Sequence, residues 1–345
     1  MEGRYIITLI FKKASAVFLA FACFYLIIFN RETVRDSVME TMLFCFKNLV
    51  PNLFPLMVIS SVFCRINLFN TFFGKKESSI LGNCRNTANV VINSWICGYL
   101  LGPKYLCSEK SDYDKTPLIF LTTNAGIGFT VLYVGGVIWQ SISYGIYLFF
   151  VQIFSSVLIF SLLKKEVNKG ICIKQEPLIT AVCSSVQSST KSVLDMCGFT
   201  VFISVMRDVI NNMFPCHIFN QILSAISEIS TGITVAATCA DSSISGFFVG
   251  FILGFGGLAI YFQTLSVCNG ANVKKCKLLA LKILQGIFCG ILSSVFVFVF
   301  NLTPSKTVGL MPDLEFNAAI SVINGIFIFC TMLFAKKALK RKFLY

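Results

Sequence analysis

An ionisable residue inside an apolar stretch is costly in lipid and in packed protein, so it marks a place where chemistry is expected. Glu228 is such a residue. It stands in Ser227-Glu228-Ile229-Ser230-Thr231-Gly232, a polar run within the apolar residues 222–240. A carboxylate there could bind a proton or cation whose movement is coupled to that of a solute; the competing account is a solvent-facing loop. A second polar run, Thr122-Thr123-Asn124-Ala125-Gly126, interrupts the apolar residues 116–139. Asn124 offers both donor and acceptor to a polar ligand. Gln263 and Thr264 sit in the apolar run LGFGGLAIYFQTLSV and can hydrogen-bond a ligand or a neighbouring helix. Lys104, directly after Gly98, Gly102 and Pro103, would attract an anion or snorkel to the headgroups. Asp195 lies four residues after Lys191, which reads as an ion pair on a helix surface.

Glycines accompany these groups. Gly98, Gly102, Gly126, Gly128, Gly254, Gly256 and Gly257 could let backbone approach a ligand closely. Small residues at such spacing also bring helices together without any ligand. Broken membrane helices expose N–H groups at one half-helix start, which suit carboxylates, and carbonyls at the other half's end, which suit cations.

The elements that hold these groups must be membrane helices. The 345 residues are 56% hydrophobic and only 13% charged, with mean hydropathy +0.78, whereas a soluble domain carries roughly 25% charged residues. Several apolar runs approach the roughly 20 residues that span a bilayer, and they are continuous, which favours helices over a barrel. The net charge of +13 falls in short loops at Lys12 and Lys13, Lys75 and Lys76, Lys164 and Lys165, Lys274 to Lys277, and Lys336 to Lys342. That is the positive-inside pattern and implies contact with membrane lipids rather than nucleic acid. The 15 cysteines contain no CxxC pair and read as small apolar residues. His217 is the sole histidine and has no matching ligand cluster, so neither a metal nor a cofactor is expected. No Walker A, HExxH or GxSxG motif is present, and the chain does not read as an enzyme.

The expected architecture is an all-α polytopic transmembrane bundle of about eight crossings, with two re-entrant or broken segments at 89–106 and 222–240. The crossings are placed near 14–29, 49–66, 116–139, 142–163, 193–213, 244–267, 278–300 and 316–335. Residues 14–29 read as a retained first span rather than a cleaved signal. Pro51 and Pro55 should bend the second. Both termini then lie inside. FKNLVPNLFPLMVISSV from Phe46 aligns with TKSVLDMCGFTVFISVM from Thr190, and CGYLLGPKYL from Cys97 with LGFGGLAIYF from Leu253. These matches suggest an inverted repeat, a pattern that points to a transporter site at the bilayer midplane. The chain divides accordingly into a helix at 1–37, repeats at 38–165 and 166–303, and a helix with a basic tail at 304–345.

Four stretches resemble a known family, the YlbJ-type sporulation integral membrane proteins with nucleoside-recognition (Gate) domains. Gly98-Tyr99-Leu100-Leu101-Gly102-Pro103-Lys104 is similar to the family's GYPxGAK. Thr123-Asn124-Ala125-Gly126 is similar to its CNN/TxGP stretch. Glu228-Ile229-Ser230-Thr231-Gly232 resembles ExTNG and precedes the family-like LGFGGLAIYFQTLSV. Leu100, Ile127 and Thr231 replace family residues, so this looks like a divergent member. The resemblance implies an endospore-forming bacterium, a mother-cell or outer forespore membrane, and transport of dipicolinic acid, a small aromatic dianion. Lys104, Tyr99 and Tyr261 would suit it, with Gly98, Gly102, Thr123, Asn124, Gly126, Glu228, Thr231, Gly232, Gly256, Gly257, Gln263 and Thr264 as the remaining or supporting site. A non-transporting scaffold or sporulation-complex subunit, and a nucleoside transporter, are the competing readings. A coupling proton or cation, a homo-oligomer and sporulation membrane partners are the associations each would draw on.

Overall fold

The structure is a computed structural model that describes residues 17–68 (except 19 and 22), 86–108, 113–163, 175–214, 216–239 and 241–304. Every regular element among them is helical. The expected final span at 316–335, the basic tail, part of the first span and the basic pairs at 75–76 and 164–165 lie outside the described residues.

The first unit comprises α1 (Arg31–Phe44), a π-helical turn (Cys45–Leu49) and α2 (Val50–Arg65). It bends by 54°. Pro51 and Pro55 lack the N–H that would continue the hydrogen-bond ladder, so the bend falls where the sequence places them. Next come α3 (Asn86–Cys97) and α4 (Leu101–Ser108), then α5 (Thr116–Thr122) and a wide π-helical segment, π2 (Gly128–Ile138), then α6 (Ile142–Leu162). The second half follows the same order. A long helix α7 (Leu178–Met213) leads to α8 (His217–Ser227) and α9 (Ile229–Ala237). Then come α10 (Ser242–Phe255), α11 (Gly257–Val267) and α12 (Lys275–Phe300).

Equivalent elements of the two halves run antiparallel. Asn212 reaches Asn30 and Thr33, Ser37 donates to Asp208 at 2.7 Å, and Arg65 pairs with Glu176 at 2.6 Å. The 31–65 unit therefore lies head to tail along α7. In the same sense, Tyr144 meets Ser293 at 2.6 Å and the Gln152 carbonyl accepts from Gln285 at 3.2 Å, so α6 lies against α12 in reverse. By this element order the break at Gly98 corresponds to Glu228, and the break at 123–127 to Gly256. The similarity between 97–106 and 253–262 therefore joins elements that do not correspond.

α12 is inside-out relative to a soluble helix. Leu284, Ile287, Ile291, Val295 and Phe298 are exposed along one face, while Lys282, Gln285 and Ser293 are buried on the other. Exposed apolar and buried polar residues on one helix fit a lipid surround and a polar protein interior. Its packing against α10 is set by small residues. A Cβ at Gly250 would lie 2.5 Å from the Cys289 carbonyl oxygen, and one at Gly254 would lie 2.8 Å from the Gly286 Cα. Gly254 is thus a packing residue of the kind that lets membrane helices touch backbone to backbone.

Among the described residues, three helices are long and apolar enough to cross a membrane: 142–162, 242–267 (α10 and α11 taken together across Gly256) and 275–300, with a fourth if the bent 31–65 pair counts as one span. The expected eight crossings are not found there. Residues 116–139 are divided into pieces of 7 and 11 residues. The expected span at 193–213 is part of α7, where Lys191, Asp195, Arg207 and Asp208 dilute the apolar character. Lys191 and Asp195 form no ion pair among the described residues; Arg207 pairs with Asp208 at 2.7 Å instead.

Outside the spans, the loop before α5 is tied to the loop before α12. Asp114 accepts from the Thr116 backbone N–H at 3.0 Å and lies 3.2 Å from the Lys274 ammonium. Burial raises the Asp114 carboxyl, but hydrogen bonds from Thr116 and the Lys274 charge outweigh it and hold the group below its usual range. A depressed carboxylate pKa contributes stability above the unfolded value, lost as pH falls through the folded one. Asp114→Asn should therefore lower the unfolding midpoint at neutral pH, and the gap from wild type should close on acidification below about pH 4.

Candidate functional site

Four helix breaks meet in the centre of the protein. α3 and α4 fold back on each other about Gly98, and α8 and α9 about Glu228. In each hairpin a glycine four residues past the tip lets the arms approach. A Cβ at Gly102 would strike the Thr122 side chain and lie 2.7 Å from Ser94 Oγ, and one at Gly232 would lie 3.1 Å from the Ala225 Cα. Gly102 and Gly232 are therefore hairpin packing residues and stand outside the lining of the central cavity; for Gly102 this is the packing alternative. The other two breaks are 123–127, between α5 and π2, and Gly256, between α10 and α11. The hairpin tips touch these breaks. A Cβ at Gly126 would lie 2.5 Å from the Cys97 carbonyl oxygen, and one at Gly257 would lie 3.4 Å from the Glu228 Cα. Gly98 has φ +112° and Gly256 φ +87°, conformations that favour glycine.

A broken helix inside a membrane must satisfy its freed backbone groups from protein. Side chains do so at three of the four breaks, those at 228, 123–127 and Gly256. Glu228 caps α9, accepting from the Thr231 N–H at 2.8 Å, the Thr231 hydroxyl at 3.1 Å and the Ser230 hydroxyl at 2.9 Å. The Tyr99 hydroxyl donates to the Leu253 carbonyl at 2.9 Å, in the last turn of α10. The Lys282 ammonium donates to the Thr123 carbonyl at 2.6 Å, at the end of α5. The Gln152 side-chain oxygen accepts from the Ala125 N–H at 3.0 Å, ahead of π2. Carboxylate at an N-terminal end and ammonium at a C-terminal end both match the half-helix dipoles.

The breaks enclose a cavity. Of the expected site residues, Gly98, Tyr99, Gly126, Glu228 and Gln263 line it. Leu53, Met57, Phe129, Met196 and Ile260 supply much of its apolar wall, with Thr200 and Ser230 as further polar members. Among the described residues, no lysine or arginine lines it. Glu228 is 2% exposed, so the solvent-facing-loop account of its segment does not hold.

The other expected residues stand elsewhere. Lys104 is turned to α7, where its ammonium donates to the Ser188 carbonyl at 3.0 Å and lies 3.3 Å from the Ser192 hydroxyl. It does not line the cavity. Thr231 serves Glu228, and Gly256 and Gly257 form the break itself. Asn124 lies behind the cavity wall, where its oxygen accepts from Gln285 at 2.6 Å and its amide donates to the Leu121 carbonyl at 2.9 Å. Thr123 and Thr264 line a second, smaller cavity with Lys282 and Tyr261.

Sequence reasoning misses Lys282, Gln285 and Gln152. Lys282 lies only four residues after Leu278, where the expected span begins, and so resembles one more member of the basic Lys274 to Lys277 boundary. The available signal is Gln285 three residues later, which puts two polar side chains on one helix face inside an apolar run.

Fold and site together define an α-helical membrane protein whose central cavity is built from broken helices. No family model matches the chain, and neither a curated protein nor a solved structure matches it.

Proposed function

We propose that this protein is a secondary-type transporter built from two inverted repeats, carrying a small anionic metabolite across a bacterial membrane. The observation that carries the reading is the convergence of four helix breaks, two from each half, on one cavity containing a buried carboxylate. Packing alone would be served by continuous helices, which avoid the cost of satisfying broken backbone in lipid. The repeated element order and the antiparallel pairing of equivalent elements support inversion, which gives a transporter two related access states.

The substrate we propose is dipicolinate, and the membrane one around a forespore, as the resemblance to the YlbJ-type proteins implies. The cavity adds a condition. Among the described residues its one carboxylate is Glu228 and no ammonium or guanidinium lines it, so an anion is accommodated only when Glu228 is protonated or shares a cation. Uptake should therefore be coupled to a proton or cation through Glu228. The apolar and aromatic wall suits a planar ring.

Purified protein in liposomes should take up labelled dipicolinate faster than labelled nucleoside, and an inward proton or sodium gradient should accelerate it. Preferential nucleoside uptake would replace the substrate and keep the mechanism. Folded protein that moves neither would favour the scaffold reading.

A further inference from the structure

The Lys282 ammonium is the one buried lysine in a membrane-spanning helix among the described residues, and it has no carboxylate partner there. Its acceptors are the Thr123 carbonyl at 2.6 Å and the Gln285 side-chain oxygen at 2.8 Å, both neutral. The rings of Tyr99 and Phe120 lie 5.9 and 5.8 Å away. An ammonium has three donors, and two are used. A charge so placed is stabilised by dipoles and ring faces but is not neutralised, and an unneutralised buried charge is strongly unfavourable.

A second observation points to the same spot. Thr264 is 1% exposed, and among the described residues its hydroxyl has no hydrogen-bond partner. A buried hydroxyl without a partner is uncommon and unfavourable. Thr264 and Lys282 line one small cavity, walled also by Phe255, Ile260, Tyr261 and Leu278. An uncommitted ammonium donor and an uncommitted hydroxyl thus face one space, in a mostly apolar shell.

We propose that Lys282 and Thr264 form a binding site for a small monovalent anion, either a halide or a carboxylate group. The charge sign follows from the ammonium, and the small size from the cavity. Carbonyl-rich sites select cations, but here the carbonyl of Thr123 is already occupied by the ammonium, so the remaining groups act as donors to the ligand. Bound anion neutralises Lys282, satisfies Thr264 and stabilises the junction of α5 with α11 and α12. Ile260 lines both this cavity and the central one, so the anion site lies one side chain behind the cavity that Glu228 faces. The site does not depend on the transport reading.

The test is thermal unfolding of the purified full-length chain in lipid nanodiscs at constant ionic strength, with methanesulfonate exchanged for chloride, acetate or dipicolinate. The unfolding midpoint should rise saturably with chloride or with acetate, and the more effective of the two identifies halide or carboxylate chemistry. Thr264→Val should weaken the half-saturating concentration about tenfold while leaving the methanesulfonate midpoint near wild type. Lys282→Gln should abolish the anion response and raise the methanesulfonate midpoint, because the amide keeps a donor for the Thr123 carbonyl and removes the unneutralised charge. A wild-type midpoint indifferent to chloride and acetate would overturn the proposal, even if dipicolinate raised it through the central cavity, as would a Lys282→Gln protein that responds to them like wild type. Because the readout is stability, an anion response in a protein that transports nothing would uphold this site and remove the transport reading, and the reverse result would do the opposite.

Discussion

Gly126→Ala is expected to be among the most damaging single-methyl changes in the protein. The added Cβ would lie 2.5 Å from the Cys97 carbonyl oxygen, 2.7 Å from its carbon and 2.9 Å from the Ile96 carbonyl oxygen. All three are backbone atoms, so no side chain can swing aside. The α3–α4 hairpin tip would have to withdraw from the 123–127 break. Overpacking costs about 1–3 kcal/mol, occasionally more, and a rigid backbone contact puts this position at the upper end. Gly198→Ala is the matched control. It lies within α7 with nothing within 4 Å of its added Cβ, and alanine there should gain about 0.5–1 kcal/mol of helix propensity. Unfolding midpoints of the two variants should move in opposite directions. Equal shifts would mean that the two breaks are not in backbone contact.

The second large effect is at Glu228, where two substitutions separate charge from capping. Glu228→Ala removes the acceptor for the Thr231 N–H and for the Ser230 and Thr231 hydroxyls. Losing a cap costs about 0.5–2 kcal/mol, and each buried group left without a partner adds roughly 1–3. Reduced yield and a lower midpoint are expected. Glu228→Gln keeps an acceptor oxygen for Thr231 and removes only the ionisable group. It should fold and reach the membrane like wild type, yet lose gradient-driven uptake by about a hundredfold or more, the scale of about 2.7 kcal/mol. Exchange of substrate in the absence of a gradient should survive. Wild-type, gradient-sensitive uptake by Glu228→Gln would reduce Glu228 to a helix cap.

Part of the arrangement at the breaks is legible from the sequence alone. Glu228, Asn124 and the paired glycines were conspicuous because a membrane segment tolerates charge, amide and glycine only where something offsets their cost. Their grouping was less legible. Gly102 could pack helices or approach a ligand, and it and Gly232 occupy equivalent packing positions four residues past the two hairpin tips. Lys104 could attract an anion or snorkel to the headgroups, and α4 directs it to the serines of α7. The buried, unneutralised ammonium belongs to Lys282, which the nearby Lys274 to Lys277 cluster disguised as a boundary residue.

The sequence by itself determined that this chain is a helical membrane protein with polar interruptions in its apolar segments. Composition, continuous apolar runs and the cost of buried charge are local properties that need no partner. Only the tertiary structure decided how many interruptions are true breaks, which apolar segments are whole, and which charge meets which helix end. Residues 116–139 look like one span by hydropathy and are two short helices, because hydropathy does not register where backbone hydrogen bonds are handed to side chains. At Thr123, that acceptor is satisfied by Lys282, 159 residues away. Pairing across such a distance depends on how the two halves pack, and no local pattern encodes it.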